Sequence, residues 1–275
     1  MEKLKSPKKL LGKFLVSPID NVSTRDILVT INIMSELSNR QIKLLGAIIN
    51  EYLFSQEPVG STTIVKKYPL DCSAATVRNE MSDLLKMGFL EMPHTSSGRV
   101  PTSVAYRLFI TELIHEEDLP VLQEVAIKQR LWSSRFQLEK LLKQAVSALS
   151  EITKEMAVAI DDEGFVISAG VVNVLDAPEF WDISAAKSIL YLLDRHELLQ
   201  EIFDKAQDNR DVNVIIGDES GQDSLSSCAI VFSGFEIRGR TGEVAVIGPS
   251  RMNYASVIPA VRYTRNLVQE LGEAW

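Results

Sequence analysis

Arg78 and Asn79 are the two side chains in this sequence best suited to reading a base pair. Arginine can meet guanine O6 and N7 with two parallel donors, and asparagine can meet adenine N6 and N7 in the same bidentate way. Ala75, Thr76, Ser82 and Lys86 lie around them. At about 100° per residue of helix, Ala75, Arg78, Asn79, Ser82 and Lys86 share one face, and apolar Val77, Met81, Leu84 and Leu85 mark the other. Ala75 can touch a thymine methyl, and Thr76, at the helix start, can reach a phosphate or a base edge. A lone helix with this face would be an ordinary solvated surface. The chemistry depends on what positions it.

The neighbouring segments supply that frame. Ser73 is placed to cap the helix and Gly88 to stop it. Upstream, residues 38–55 carry Ile42, Leu45, Ile48, Ile49, Tyr52 and Leu53 on one stripe behind Ser38 as N-cap. EPVG reads as a turn; Ser61 can cap a short helix with Ile64, Val65 and Tyr68 that Pro69 ends. A short helix, a tight turn and a polar-faced helix form the helix-turn-helix pattern. Downstream, Phe89 to Met92 and Arg99–Val100 read as two strands around the tip PHTSSG, which makes a wing. His94 and Arg99 would lie near the phosphate backbone or a neighbouring minor groove, and Ser96 and Ser97 could donate to phosphates. Gly98 is expected to take a positive φ in that turn. Lys66, Lys67, Arg78, Lys86, Arg99 and Arg107 could together form a basic face, and Thr102 caps a helix running to about residue 115.

The charge is unevenly divided. The 275 residues carry −8 overall, but residues 1–35 carry +3, residues 36–110 carry +1 and residues 111–275 carry −12. A nearly neutral reading domain has modest non-specific affinity for DNA, so specificity calls for a dimer on two half-sites. The basic start, MEKLKSPKKLLGKFLV, has its apolar stretch broken by Lys13 and reads as a tail and not a signal peptide. The longest apolar runs fall short of a membrane span. Cys72 and Cys228 are too few and too far apart for a disulfide framework, and a reducing cytoplasm is expected. His94, His115 and His196 are scattered, with no zinc spacing. The glycine loops GDESGQDS and SGFEIRGRTG match no P-loop or dinucleotide pattern and suit hairpin turns. No acid/base pair, nucleophile or metal set stands out, so no enzyme activity, cofactor or metal is expected.

The second half alternates differently. Residues 121–155 form a long amphipathic pattern with Leu122, Val125, Trp132, Phe136, Leu142, Val146, Leu149 and Ile152, fit to connect domains or to pair with a second copy. MAVAI, GFVISAG, Val212 to Ile216, Ser227 to Phe232 and Glu243 to Ile247 read as strands. Phe180 to about Gln207 reads as helix, and so does the stretch from about Asn253, where Pro259 must kink it or begin its main segment. Strands mixed with helices give an α+β sheet domain.

LSNRQ, EPVGS, SAATVRNEM and DLLKMGFLEMPHTSSGRVPT together resemble the DNA-binding domain of HrcA, the bacterial heat-inducible transcription repressors. VVNVLDAPEF and GEVAVIGPSRMNYASVIPAVRYTRNLVQEL are similar to later parts of the same family. The resemblance implies a winged helix-turn-helix domain at 36–115, a connecting helix at 116–155 and a GAF-like domain at 156–275, behind an extension of residues 1–35 on which it is silent. It also implies a repressor of chaperone operons that binds an inverted-repeat operator as a homodimer, with a chaperonin as a partner and relief by heat. The family's middle is longer. Here AVAIDDEGFVISAGVVNVLDAPEF runs almost directly from the first strand to the later motif, so the inserted dimerisation domain is expected to be missing. The alternative reading is a small-molecule-responsive winged-helix regulator of other genes, for which a pocket with convergent polar groups would be the sign.

Overall fold

The computed structural model describes residues 37–94, 97–114, 116, 118–181, 183–206 and 211–273. The extension of residues 1–35, Ser96 and His115 lie outside the described residues.

Three helices build the first module. Helix α1 (Asn39–Ser55) starts at a capping box: the Ser38 hydroxyl accepts from the Gln41 amide, and the Gln41 side chain accepts from the Ser38 amide. It buries Leu44, Leu45, Ile48 and Ile49, and ends at Gln56 in a left-handed conformation. Helix α2 (Ser61–Lys67) has Gly60 at its cap position, so Ser61 is its first helical residue and not its cap. It stops at Tyr68, whose extended backbone suits the following Pro69. Helix α3 (Ala74–Lys86) is capped by the Ser73 hydroxyl, which accepts from the Thr76 amide at 3.1 Å. It buries Val77, Met81 and Leu84, and Gly88 turns the chain beyond it at φ +81°.

The hairpin follows at once. Strand β1 (Leu90–Glu91) pairs antiparallel with β2 (Val100–Pro101); the first is shorter than the expected Phe89–Met92 and the second is shifted by one residue from the expected Arg99–Val100. A third segment joins them. Val59, within the EPVG turn, exchanges both backbone hydrogen bonds with Arg99, at 2.8 and 2.9 Å. Helix α4 (Ser103–Leu108), capped by Thr102, then continues through a wider π turn at Phe109–Leu113.

The amphipathic stretch expected as one helix is two. Helix α5 (Val121–Trp132) and helix α6 (Leu138–Thr153) are separated at residues 133–137 and pack against each other, with Ile127, Leu131, Leu141, Leu142, Ala145 and Leu149 buried in one cluster. Strands β3 (Met156–Asp161), β4 (Val166–Ala169), β5 (Asn213–Ile216), β6 (Cys228–Ile237) and β7 (Arg240–Pro249) form an antiparallel sheet in the order β4-β3-β7-β6-β5. Its register sets Val158 opposite Ala245, Val231 opposite Val246 and Ile215 opposite Ile230. Alternation then sends Ala157, Ala159, Val231 and Val246 to one face and Val158, Ile160, Phe232 and Ile247 to the other.

Helices cover both faces. Helix α10 (Tyr254–Glu273) lies with α6 on the first, and runs on through Pro259. The second carries α7 (Val171–Asp176), α8 (Ile183–Leu193) and α9 (His196–Ala206), with Phe203 stacked on Phe232 at 4.6 Å between ring centroids. The expected helix over 180–207 is thus broken at Asp194–Arg195. The molecule is α+β, a winged helix-turn-helix followed by a five-stranded antiparallel sheet with helices on both faces. One apolar core runs from the winged module into the first face of the sheet, since Leu45, Ile48, Tyr106 and Tyr254 belong to the same cluster as Val231 and Leu267.

Candidate nucleic-acid interface

Burial of Val77, Met81 and Leu84 turns the other side of α3 to solvent. Ala75, Arg78, Asn79 and Lys86 are exposed there, with Thr76 and Ser82 half-buried beside them. Among the described residues, the side chains of Arg78 and Asn79 have no hydrogen-bond or ionic partner. Glu80 points the opposite way. It is buried and takes the guanidinium of Arg40, whose Nε lies 2.9 Å from Glu80 Oε1. That clasp fixes α3 on α1 and removes an acid that would otherwise oppose phosphate.

The other cations differ in how much of their charge is free. Lys66 is exposed and unpaired among the described residues. Lys67 sits 2.7 Å from the buried carboxylate of Glu51 and 5.7 Å from the centre of the Phe54 ring. Lys86 pairs with Asp83 at 3.0 Å on the exposed side of α3. Arg99 folds back on the wing: its Nη1 donates to the Ser97 and Gly98 carbonyls at 3.2 and 3.4 Å, and its buried Nε has no partner among the described residues.

The wing tip is closed from within. Ser97 Oγ accepts from the His94 amide at 3.0 Å and donates to the His94 carbonyl at 2.7 Å, so its proton is engaged. The His94 side chain is exposed. Gly98 does not take the positive φ expected of it. It is small for another reason: a Cβ there would stand 2.5 Å from the Pro58 carbonyl and 2.6 Å from Val59 C, where the wing crosses the turn between α1 and α2.

Arg107 leaves the basic face altogether. Its guanidinium bonds Glu219, with Nε at 2.9 Å from Oε1, and donates from Nη2 to the Val214 carbonyl at 2.6 Å. The sequence allows it a place on the basic face; the fold uses it at the seam with the sheet domain. Two tyrosines line that seam, Tyr106 and Tyr254, with ring centroids 6.2 Å apart. Burial pushes both phenols well above their ordinary range. Nearby, Arg251 holds Glu179, and Glu155 is raised to about 7 by burial, with Arg251 opposing. Sequence periodicity showed none of these pairs, since partners such as Arg40–Glu80 and Arg107–Glu219 are far apart in the chain. Glu51 alone left a trace: an acid on the apolar stripe of α1 needs a cation nearby.

Elsewhere, Cys228 is buried and its thiol is raised to about 12, first by burial and then by Glu155, which removes it as a nucleophile. Among the described residues no three His, Cys, Asp or Glu side chains are grouped to hold a metal, and no helix is long and apolar enough to cross a membrane. An open hollow of about 490 Å³, with Phe180, Trp181 and Lys187 among its lining, lies on the second face of the sheet domain.

A helix-turn-helix with an unpartnered Arg-Asn face, a wing bound to its side and an antiparallel sheet domain behind it define a winged-helix DNA-binding regulator. Residues 36–114 match the family model for the winged helix-turn-helix transcription repressor HrcA, DNA-binding, and residues 104–258 match that for the HrcA protein C terminal domain. The chain belongs to the HrcA family. It is 25% identical to the heat-inducible transcription repressor HrcA of Ruminiclostridium cellulolyticum, over 85% of this chain and 97% of that one. Against the protein of that name from Clostridium acetobutylicum the identity is 28%, covering 82% and 95%. The first alignment spans 337 positions while using 85% of these 275 residues, so it crosses stretches with no counterpart here. A crystal structure described as a hypothetical protein shares the fold, with a TM-score of 0.70 at 18% identity, over 87% of this chain and 99% of that one.

Proposed function

We propose that this protein represses transcription of chaperone operons by binding an inverted-repeat operator as a homodimer, one α3 in each of two major grooves. The division into an extension at 1–35, a DNA-binding domain at 36–115, a connector at 116–155 and a regulatory domain at 156–275 belongs to the same reading. Arg78 and Asn79 read base edges, Ala75 and Ser82 pack beside them, and Thr76 reaches a phosphate or base edge at the start of the groove. Lys66, Lys86, His94, Ser96 and Arg99 set the phosphate backbone, while Lys67 and Ser97 hold the module's own shape as much as they meet DNA. Heat lowers repression, with a chaperonin as the partner that keeps the repressor active, and the protein works in the cytoplasm.

The observation that supports this best is the state of Arg78 and Asn79: exposed, adjacent, and without a protein partner among the described residues, on a helix whose one nearby buried acid is already neutralised. The test is fluorescence anisotropy against a duplex with the family's inverted repeat and one with scrambled half-sites, across salt, with and without chaperonin. Selective binding to the intact repeat is the expected result. Equal binding to both, with a steep salt dependence, would reduce the protein to a non-specific DNA binder.

A further inference from the structure

Helix α5 turns an apolar stripe to water. Its buried side is Ile127 and Leu131. On the far side, Leu122 is 84% exposed, Val125 46% and Trp132 51%, and Phe136 just past the helix end is 56% exposed. With Gln129, these positions recur every third or fourth residue, the spacing of a seam between two helices. A soluble surface rarely leaves large side chains aligned in this way without a partner.

The charges at the two ends point to what covers it. Asp118, just before the helix, is exposed and has no cation among the described residues. Arg135, just after it, lies over the Trp132 and Phe136 rings at 4.4 and 4.1 Å and donates to the Trp132 carbonyl, with no carboxylate among the described residues. One end of the stripe therefore lacks a cation and the other lacks an anion. Two copies related by a two-fold axis across the helix bring unlike ends together, as a self-complementary surface requires.

We propose that α5 is the homodimer interface: two α5 helices pack antiparallel, Leu122 against the second copy's Trp132, Val125 against its Gln129, and Asp118 against its Arg135. This rests on the dimeric-repressor reading and supplies its missing surface. The position suits the task, since only residues 114–120 separate the end of the winged module's π turn from α5. Three helical turns and four large side chains are at the small end of specific interfaces, so the association should be weak in solution, and an operator with two half-sites reinforces it.

Sedimentation velocity of the full chain, from about 0.1 to 100 μM, tests it. The expected result is a monomer–dimer equilibrium whose dissociation constant rises roughly tenfold or more in Leu122→Lys and in Trp132→Lys. Trp181→Lys, on a different exposed apolar patch, should leave it unchanged. Asp118→Arg and Arg135→Asp should each weaken the dimer, and the double reversal should restore it. A wild-type chain that stays monomeric throughout overturns the proposal; so does a dimer that survives both lysine substitutions, or one that Trp181→Lys dissociates. Circular dichroism confirms that each variant folds. Affinity for a duplex with a single half-site separates the two readings: Trp132→Lys should keep it while losing preference for the intact repeat. A wild-type chain that ignores the repeat would sink the DNA reading, and the sedimentation result would still decide the helix pairing.

Discussion

The outward face of α3 and the seam between the winged module and the sheet each hold an arginine that the sequence counts toward one basic face, and they treat it in opposite ways. Arg78 has no partner among the described residues, while Arg107 has a carboxylate and a backbone carbonyl. Charge count alone cannot tell them apart. What separates them is satisfaction: a guanidinium with its donors used inside the protein is structural, and one with donors left over is available for a ligand. The seam is thus a mechanical joint and the α3 face a reading surface, on modules that share a core.

The hardest blow to that division is Gly98→Val. The added side chain would strike the Pro58 and Val59 backbone and lift the wing off the α1–α2 turn. We expect a loss of about 3 kcal/mol in stability, read by thermal unfolding, with new proteolytic cleavage in PHTSSG. A variant that melts like the wild type would mean that the wing does not depend on this close approach, and that reading surface and scaffold are only loosely coupled.

The paired arginines give the next largest effects. Arg78→Ala should lose roughly 1–3 kcal/mol of binding to the cognate duplex and relax selectivity at one position, with the melting temperature unchanged. Arg107→Ala should do the reverse. It leaves the Val214 carbonyl without this donor and Glu219 without its cation, which costs about 1–2 kcal/mol of stability after allowing for the partial exposure of Glu219. Its base preference should not change. If Arg107→Ala alters selectivity while Arg78→Ala does not, the two assignments are exchanged.

One partly buried carboxylate in the sheet domain gives the comparison a pH dependence. Glu155 is raised from 4.5 to about 7 by burial. The folded state therefore holds its proton more tightly than the unfolded chain does. Its stabilising contribution is full below about 4.5 and is lost as pH rises to about 7. Glu155→Gln should flatten that decline and leave the protein more stable at pH 8, on the order of 1–2 kcal/mol, as denaturant titrations at several pH values would show. A decline that persists in the variant would place the titrating group elsewhere.

The reading face was far more legible in the sequence than the seam. Ser38, Ser73 and Thr102 announced helix starts because capping acts within one turn, and Val77, Met81 and Leu84 announced a buried face because helical periodicity is local. The strands near Met156–Asp161 and Arg240–Pro249 were legible for the same reason. The bridge from Val59 to Arg99, the clasp from Arg40 to Glu80 and the capture of Arg107 by Glu219 were not, because each joins residues that no local period relates. Gly98 shows a subtler failure. The expectation of a required glycine holds, but the reason is a backbone crossing from another segment and not its own φ.

Adjacent Lys66 and Lys67 give the smallest effects and the finest form of the comparison. Both end α2 and both count as basic residues near the reading face. Lys67 closes on Glu51, whose side chain is 6% exposed, so Lys67→Ala strands a buried carboxylate with only the Tyr68 hydroxyl, at 3.5 Å, beside it. That should lower stability by about 1 kcal/mol, less than for a fully buried pair because half of the lysine side chain is in water. Its net charge is already cancelled, so the salt dependence of DNA binding should hardly move. Lys66 has no such partner among the described residues. Lys66→Ala should leave the melting temperature alone and reduce the salt slope by about one phosphate contact, with an affinity loss below roughly 1 kcal/mol on cognate and scrambled duplexes alike. Two lysines on one turn of helix would then be separated by the same rule as the two arginines. If both variants instead lower the slope equally, the Glu51 pair opens when DNA arrives, and the resting ion pairs do not predict which cations meet phosphate.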